Sequence, residues 1–413
     1  MTSGDDTSDV TDAGSGDSTD APGRSAPHVT APTARRVPEV SSDAAPELGP
    51  DARADEREHL RPTKPRLPRY RTGDKALDES IRQLVDAAGI EGARDLTFEL
   101  VVSALRLGRE HNSRADLKIA NSALKELRYS FGVFGPYRDV RKVSIFGSAR
   151  TAPDDPLYDL TRRLAAKIVE HDWMVITGAG PGIMAAGIEG AGPDNAFGVS
   201  IRLPFEASAN EFIAADRKLI NFRYFFTRKV TFMRESSGFV LLPGGFGTMD
   251  ELFELLTLVQ TGKATPAPVV LLDEPGGRYW QHWMEFVEKQ LVAERYINPV
   301  DLSLVHLTDD CDEAVSVLTA FYANYHSQRF VEGKLVLRMR VAPDDATLAD
   351  MGERYASMLV SGTIEHVEPH PEERADDDEV DLARVRLHFD RRSWARLTAL
   401  IRELNALVEV GRH

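Results

Sequence analysis

The sequence predicts an α/β protein: a doubly wound, Rossmann-like parallel sheet flanked by an N-terminal helical segment and a small C-terminal α+β appendage. Three observations predict it. Six short apolar runs, at 143–146, 174–177, 197–201, 239–242, 269–272 and 304–307, alternate with stretches of helical spacing, as in parallel sheets covered on both faces. Two of these runs end in glycine-rich turns, at 178–182 and 244–247, the place where an open parallel sheet receives ligands. The apolar spacing is helical before residue 140 and mixed after about Glu332, so a different kind of structure lies on each side of the sheet.

Taken in order, residues 1–72 read as a disordered acidic tail and linker. Between Met1 and Leu60 there is neither an aromatic residue nor an isoleucine, and Ser, Asp, Ala, Pro and Thr dominate, leaving little apolar surface to offset the entropy of ordering. The basic run 61–71, RPTKPRLPRYR, reads as a proline-broken, solvated linker, with contact to an anionic partner as the lesser alternative. In 73–139, Leu77, Ile81, Leu84 and Val85, then Phe98, Val101, Val102 and Leu105, fall at helical spacing and predict two or three amphipathic helices. Asp95 is placed to cap the second, and Gly132, Gly135 and Pro136 separate this part from the next. Residues 140–328 form the α/β domain. In 329–413 a strand at 335–341, a helix near 348–359, an acidic loop at 369–379, an alternating strand at 383–389 and a last helix make the appendage. Trp394, Leu397, Ile401, Leu404 and Leu407 line one face of that helix.

Composition narrows the function. The 413 residues, 42% hydrophobic, can build a sizeable core. A net charge of -15 argues against binding nucleic-acid polymers, which demand clustered Lys and Arg. Nowhere do eighteen apolar residues run together, and the acidic amino terminus lacks the basic and apolar regions of a leader, so no membrane partner and a cytoplasmic location are expected. The single Cys311 excludes an internal disulfide and a cysteine-based zinc site. No metal or cofactor is expected.

The first turn, Gly178-Ala-Gly180-Pro-Gly182, approaches a dinucleotide fingerprint, but its third glycine is displaced. The acidic residue wanted at the end of the next strand is replaced by Ser200 and Arg202, which disfavours NAD. A tight turn needing glycine for backbone reasons alone is the lesser alternative. In the second turn, Pro243-Gly244-Gly245-Phe246-Gly247-Thr248, the glycines let backbone approach a ligand and Thr248 can bond an oxyanion at a helix start. It has neither the lysine nor the length of a Walker motif, so a monophosphate fits better than a triphosphate with magnesium.

Glu251 has two readings. Thr248-x-x-Glu251 matches a capping box; alternatively, a carboxylate one turn from a phosphate cradle can serve glycosidic cleavage, where positive charge develops on the sugar. Asp250 and Glu254 read as a solvated helix face. Upstream, Phe225, Phe226, Val230 and Met233 make one helical stripe, with Lys229 inside it and Arg228 at its edge. A cation there either meets an anion or snorkels to water.

Arg228-Lys229, followed fifteen positions after Arg228 by Pro243-Gly-Gly-Phe-Gly-Thr-Met-Asp-Glu251, resembles the R-K and P-G-G-x-G-T-x-x-E signature of the Lonely Guy (LOG) family. The turns at Gly147-Ser148 and 177–184 are similar to that family's as well, and the resemblance covers about 140–300. Members are phosphoribohydrolases that release a free base and ribose 5-phosphate from cytokinin nucleotides or ordinary nucleotides. The resemblance implies Arg228 and Glu251 as the catalytic pair. It implies Gly244, Gly245, Gly247 and Thr248 on the 5′-phosphate, and Ser148, Gly178, Gly180, Gly182 and Lys229 along ribose and base. It further implies a homodimer or higher homo-oligomer with sites near the subunit contact. The label lysine decarboxylase attached to this family would need a pyridoxal phosphate lysine, and no lysine here is marked as one. The helical segment and the appendage are additions to the small LOG proteins.

The expected function is hydrolysis of the N-glycosidic bond of a nucleoside 5′-monophosphate, AMP or a related purine or cytokinin nucleotide. A noncatalytic nucleotide- or molybdenum-cofactor-binding protein of the same architecture is the alternative. The presence of both Arg228 and Glu251 favours the enzyme.

Overall fold

The computed structural model describes residues 70–110, 112–202 and 209–410. The tail expected at 1–72 and the basic run 61–71 lie outside the described residues up to 69.

The N-terminal segment holds three helices, α1 (Lys75–Ala87), α2 (Arg94–Arg109) and α3 (Arg114–Phe134). Asp74 caps α1 by accepting from the N–H groups of Ala76 and Leu77, and Ser113 with Asp116 forms a capping box on α3, each satisfying amides that a helix start leaves free. Asp95 does not cap α2: Ala93 holds that position in the left-handed region, and Asp95 sits within the first turn, where its charge still faces the positive end of the dipole. Helix α3 also runs through Gly132 before a short turn at Gly135–Tyr137 ends it. The α1–α2 hairpin buries Ile81, Val85, Phe98 and Val102 together. Helix α3 joins the α/β domain, where Phe134 stacks on Phe197 at 4.3 Å.

The central sheet is parallel and seven-stranded in the order β4-β3-β2-β1-β5-β6-β7. Its strands are β1 (Lys142–Phe146), β2 (Met174–Thr177), β3 (Ala196–Ile201), β4 (Leu219–Phe222), β5 (Gly238–Leu241), β6 (Val269–Leu272) and β7 (Val305–Thr308). Helices α4 (Pro156–Glu170), α5 (Ile183–Ala191), α6 (Phe225–Glu235), α7 (Phe246–Gln260), α8 (Tyr279–Phe286) and α9 (Cys311–Ala320) cover both faces, and separate apolar clusters lie on the two sides. The doubly wound reading holds. Strand β4 escapes it because an edge strand is apolar on one side only: Ile220 and Phe222 are buried while Asn221 is exposed. The chain runs outward from β1 to β4 and then returns to β5, so the β1–β5 crevice is the switch point where ligands bind in such sheets.

An antiparallel sheet of order β10-β11-β9-β8 follows, with β8 (Tyr325–Val331), β9 (Lys334–Met339), β10 (Leu359–His366) and β11 (Ala383–Phe389) covered by α10 (Asp345–Arg354), α11 (Pro371–Asp376) and α12 (Trp394–Val410). This sheet begins at Tyr325, ahead of the expected boundary at 329. Strands β8 and β10 have buried residues too widely spaced to register as apolar runs. The helix expected near 348–359 ends at Arg354. The stretch 369–379 is not simply an acidic loop: it contains α11, and Glu373 and Asp378 are buried. Of the expected face of α12, Leu407 is exposed and the others are buried. Tyr322 donates to the Ser237 carbonyl and Arg402 to that of Ser303, anchoring this sheet to the central one.

Candidate active site

Three strand-end turns meet at the switch point. Ser148, just past β1, donates its N–H to the Pro243 carbonyl at the end of β5 (3.1 Å), and its own carbonyl accepts from Ile183 at the start of α5 (3.0 Å). Gly182 has φ +64, and a Cβ there would strike the Ser148 carbonyl, so glycine is required by packing as well as by conformation. A Cβ at Gly178 would meet the Arg228 guanidinium, and one at Gly180 would meet Met184. The backbone explanation therefore accounts for much of the first turn.

The second turn divides differently. A Cβ at Gly244 would overlap the Thr248 hydroxyl, whereas at Gly245 and Gly247 it would meet nothing within 4 Å. Gly244 thus serves the protein's own packing, and Gly245 and Gly247 border open space. Helix α7 begins at Phe246 with Gly245 at the cap position and no side-chain cap, so its first-turn N–H groups and the positive end of its dipole face that space. The Tyr279 hydroxyl donates to the Gly244 carbonyl at 2.5 Å, bracing the turn from α8. Asn210 braces the first turn, its amide nitrogen donating to the Gly180 carbonyl (3.0 Å). Neither residue carried a sequence signal, because each supports the turns from a distant part of the chain.

The same helix start overturns the capping box. With the cap at Gly245, Thr248 lies inside the first turn and Glu251 lies beyond it. Glu251 is instead 5% exposed, and among the described residues its Oε2 has no hydrogen-bond partner. Burial pushes its carboxyl up to about 7; Lys229 and Arg228 pull the other way, and Glu254 and Asp250 add to the rise. A carboxyl poised there can exchange a proton near neutral pH.

Helix α6 supplies the cations. The expected stripe is corrected: Phe225 and Phe226 are about half exposed, and the buried residues are Thr227, Thr231, Phe232 and Glu235. A threonine seam packed on another helix is invisible to a count of apolar residues. Arg228 Nε donates to the Val199 carbonyl within β3 (2.9 Å), and its guanidinium lies 5.2 Å from the Phe232 ring centroid. The Lys229 ammonium pairs with Asp250 (2.9 Å) and Glu254 and stands 3.8 Å from Glu251 Oε2. Burial works against its charge, but the bonds to Glu254 and Asp250 prevail and hold its pKa above the ordinary lysine value. Lys229 therefore meets anions of the protein itself rather than snorkelling. Asp250 and Glu254 are more than a solvated face, since they tie α7 to α6.

The site has one buried, donor-starved carboxyl, two cations and a helix start open to an anion, together suited to holding a phosphorylated sugar beside an acid–base group. Among the described residues no group of three or more His, Cys, Asp or Glu side chains could hold a metal ion, and no helix is long and apolar enough to cross a membrane. A cavity of about 350 Å³ near Lys167, His171 and Asp312 and an apolar one of about 90 Å³ near Phe253 and Trp283 are lined by neither Arg228 nor Glu251. The candidate site is placed by chemistry, not by cavity size.

Residues 182–318, which include Arg228, Lys229 and Glu251, match the family model described as possible lysine decarboxylase. Over 101 residues the chain is 34% identical to a probable cytokinin riboside 5′-monophosphate phosphoribohydrolase of Oryza sativa subsp. japonica, covering 24% of this chain and 46% of that protein. A cytokinin riboside 5′-monophosphate phosphoribohydrolase of Arabidopsis thaliana is 34% identical over 101 residues, covering 24% and 45%; another from that plant is 27% identical over 182 residues, covering 44% and 84%. The chain spans under half the length of the first two of these relatives. The resemblance to LOG proteins holds over this part of the chain. Among solved structures, the molybdenum cofactor carrier protein of Chlamydomonas reinhardtii is 20% identical with a TM-score of 0.32, covering 44% of this chain and 96% of that one. The molybdenum cofactor binding protein of Rippkaea orientalis is 17% identical with the same TM-score and the same coverage.

Proposed function

We propose that this chain is a nucleoside 5′-monophosphate phosphoribohydrolase, acting on AMP or a related purine or cytokinin nucleotide. The observation that carries the reading is Glu251: a buried carboxyl whose Oε2 faces Lys229 but among the described residues accepts no hydrogen bond, one turn into a helix whose start is an open glycine turn. Similarity to phosphoribohydrolases over 101 residues, and a family-model match that spans Glu251, support it.

In this reading the amides at Gly244, Gly245 and Gly247 and the Thr248 hydroxyl grip the 5′-phosphate. Ser148, Gly178, Gly180, Gly182 and Lys229 border ribose and base. The bond from C1′ to the base nitrogen breaks with its electron pair leaving on the base; water supplies the hydroxyl at C1′ and its proton ends on the base. Glu251 orients that water and relays the proton, while its carboxylate form steadies positive charge on the sugar. Arg228 assists the departing base or fixes the phosphate. A homo-oligomer with the site near the subunit contact belongs to the same proposal; half-exposed Phe225 and Phe226 and the 96% exposed Phe246 lie on the helices of the site and support it.

The test is incubation of the parent protein and Glu251→Gln with a panel of nucleoside monophosphates, followed by chromatography for free base. Ribose 5-phosphate and base are expected from the parent, and binding with scarcely any turnover from the variant. Full turnover by Glu251→Gln would remove the assignment, and an AMP complex with the cradle empty would remove the phosphate site. Tight binding without base release from any nucleotide would favour a noncatalytic carrier.

A further inference from the structure

Helix α6 carries Arg228 and Lys229, yet its own start has no side-chain cap. A distant residue holds the chain on either side of that start. Glu126, on α3 of the N-terminal segment, accepts the backbone N–H of Arg223 with Oε1 (3.1 Å) and the Thr227 hydroxyl with Oε2 (2.6 Å). The Thr227 hydroxyl lies in the first turn of α6, immediately before Arg228, and the Arg223 N–H belongs to the residue just ahead of the cap position, Tyr224. One turn on, the buried hydroxyls of Ser130 and Thr231 are 3.2 Å apart. Beyond them the Arg234 guanidinium lies 4.4 Å from the Phe131 ring centroid. The contacts advance in step along both helices, so α3 and α6 lie side by side in parallel, and Glu126 opens this seam beside Thr227, the residue before Arg228.

Its chemistry suits the position. A carboxylate beside a helix start complements the positive end of the dipole, and bonds to an ionised acceptor are the stronger kind. Threonine is a poor choice for a helix interior, and Thr227 and Thr231 are both fully buried. Their place is explained by the polar seam with α3. Arg228 and Lys229 follow Thr227 directly in α6, so its first turn and their backbone move together.

We propose that Glu126 is a positioning residue for the site: by clamping Arg223 and Thr227 it sets the placement of Arg228 and Lys229 opposite Glu251, which makes the N-terminal helical segment part of the site's support. The inference rests on the phosphoribohydrolase reading for its effect on turnover, but not for its effect on the helix.

The experiment compares full-length Glu126→Ala, Glu126→Gln and Thr227→Val with the parent, measuring hydrogen exchange of amides 223–231, melting temperature, and kcat and KM for AMP separately. Glu126→Ala should speed exchange at the start of α6 and lower kcat on the order of 10- to 100-fold, the scale of a misplacement of about 1 Å, with little change in melting temperature. Thr227→Val should behave alike, and Glu126→Gln, which keeps an acceptor for the Thr227 hydroxyl, should recover most of the loss. Unchanged exchange at 223–231 in Glu126→Ala overturns the proposal, as does a loss of turnover no larger than the loss of folded protein. If the parent releases no base from any nucleotide, the hydrolase reading fails, while the exchange data still decide whether Glu126 holds the helix.

Discussion

Glu251 in the α/β domain and Glu373 in the C-terminal domain are hidden from water to nearly the same degree, 5% and 1% exposed, yet their surroundings drive them in opposite directions. Glu373 Oε1 accepts from Arg338 (2.8 Å), and its Oε2 from Arg384 (3.2 Å) and the His370 N–H (3.0 Å). Asp378 completes the cluster by accepting from Arg338 and Arg329. Burial raises the Glu373 carboxyl, but the hydrogen bonds from Arg338 and His370 prevail and hold it below the usual range. At Glu251 burial meets no such donors at Oε2, and the carboxyl rises to about 7. A buried charge satisfied on every side is architecture, whereas one left short of partners is a source of strain that persists where it is useful.

The largest expected effect is on turnover. Glu251→Gln should lower the rate of base release by about 100- to 10,000-fold, the usual worth of a positioned acid–base group, read as kcat in the chromatographic assay. Glu373→Gln should leave kcat per folded molecule unchanged. Equal effects of the two would erase the distinction between them.

Stability should show the converse. Removing the Glu373 charge leaves Arg338 and Arg384 short of a partner in the interior, which costs about 3 kcal/mol or more, measurable by denaturant unfolding. Glu251→Gln should unfold at higher temperature than the parent at pH 8. Its folded pKa lies above the unfolded value, so the stability linked to Glu251 is fully present below about 4.5 and is lost as pH rises through about 7. That loss is at most about 3 kcal/mol. The gap between variant and parent should close at acid pH. Glu373 has the opposite sign: its contribution is present above the ordinary carboxyl range and is lost as pH falls through the depressed folded value. Turnover that depends on the Glu251 carboxylate should climb as pH passes upward through about 7.

The glycines give the smallest and sharpest comparison. Gly244→Ala forces a methyl group against Thr248 and Ser148 and should destabilise by about 1–3 kcal/mol. At Gly245 the same methyl enters open space, so stability should stay within about 0.5 kcal/mol. Affinity for AMP should nevertheless fall about tenfold, the worth of one hydrogen bond to a charged group. Calorimetric titration with AMP checks this, and unchanged affinity in Gly245→Ala would remove that glycine from the cradle.

Much of the fold was legible because periodicity reports burial. The six apolar runs became six strands of the central sheet, and the glycines marked the turns that meet at its switch point. Edge strand β4 and strands β8 and β10 were missed for the same reason, since a strand buried on one side alternates or bulges. The stripe at Phe225 and Phe226 misled because α6 packs through Thr227 and Thr231. Within the candidate site, Arg228, Lys229 and Glu251 were visible from spacing and motif. Tyr279, Asn210 and Glu126 were not, because each acts on the site across a long separation in the chain.

By itself the sequence determined the layered architecture, the glycine turn at the start of α7 and the charged residues beside it, since these follow from local spacing and from what each side chain can do. Only the tertiary structure decided which buried carboxyl would be satisfied. The donors that reach Glu373 come from Arg338, Arg384 and His370, and the helix start that strands Glu251 is set by how β5 hands over to α7. Hydrogen-bond satisfaction depends on partners brought together by folding, and no local pattern encodes it.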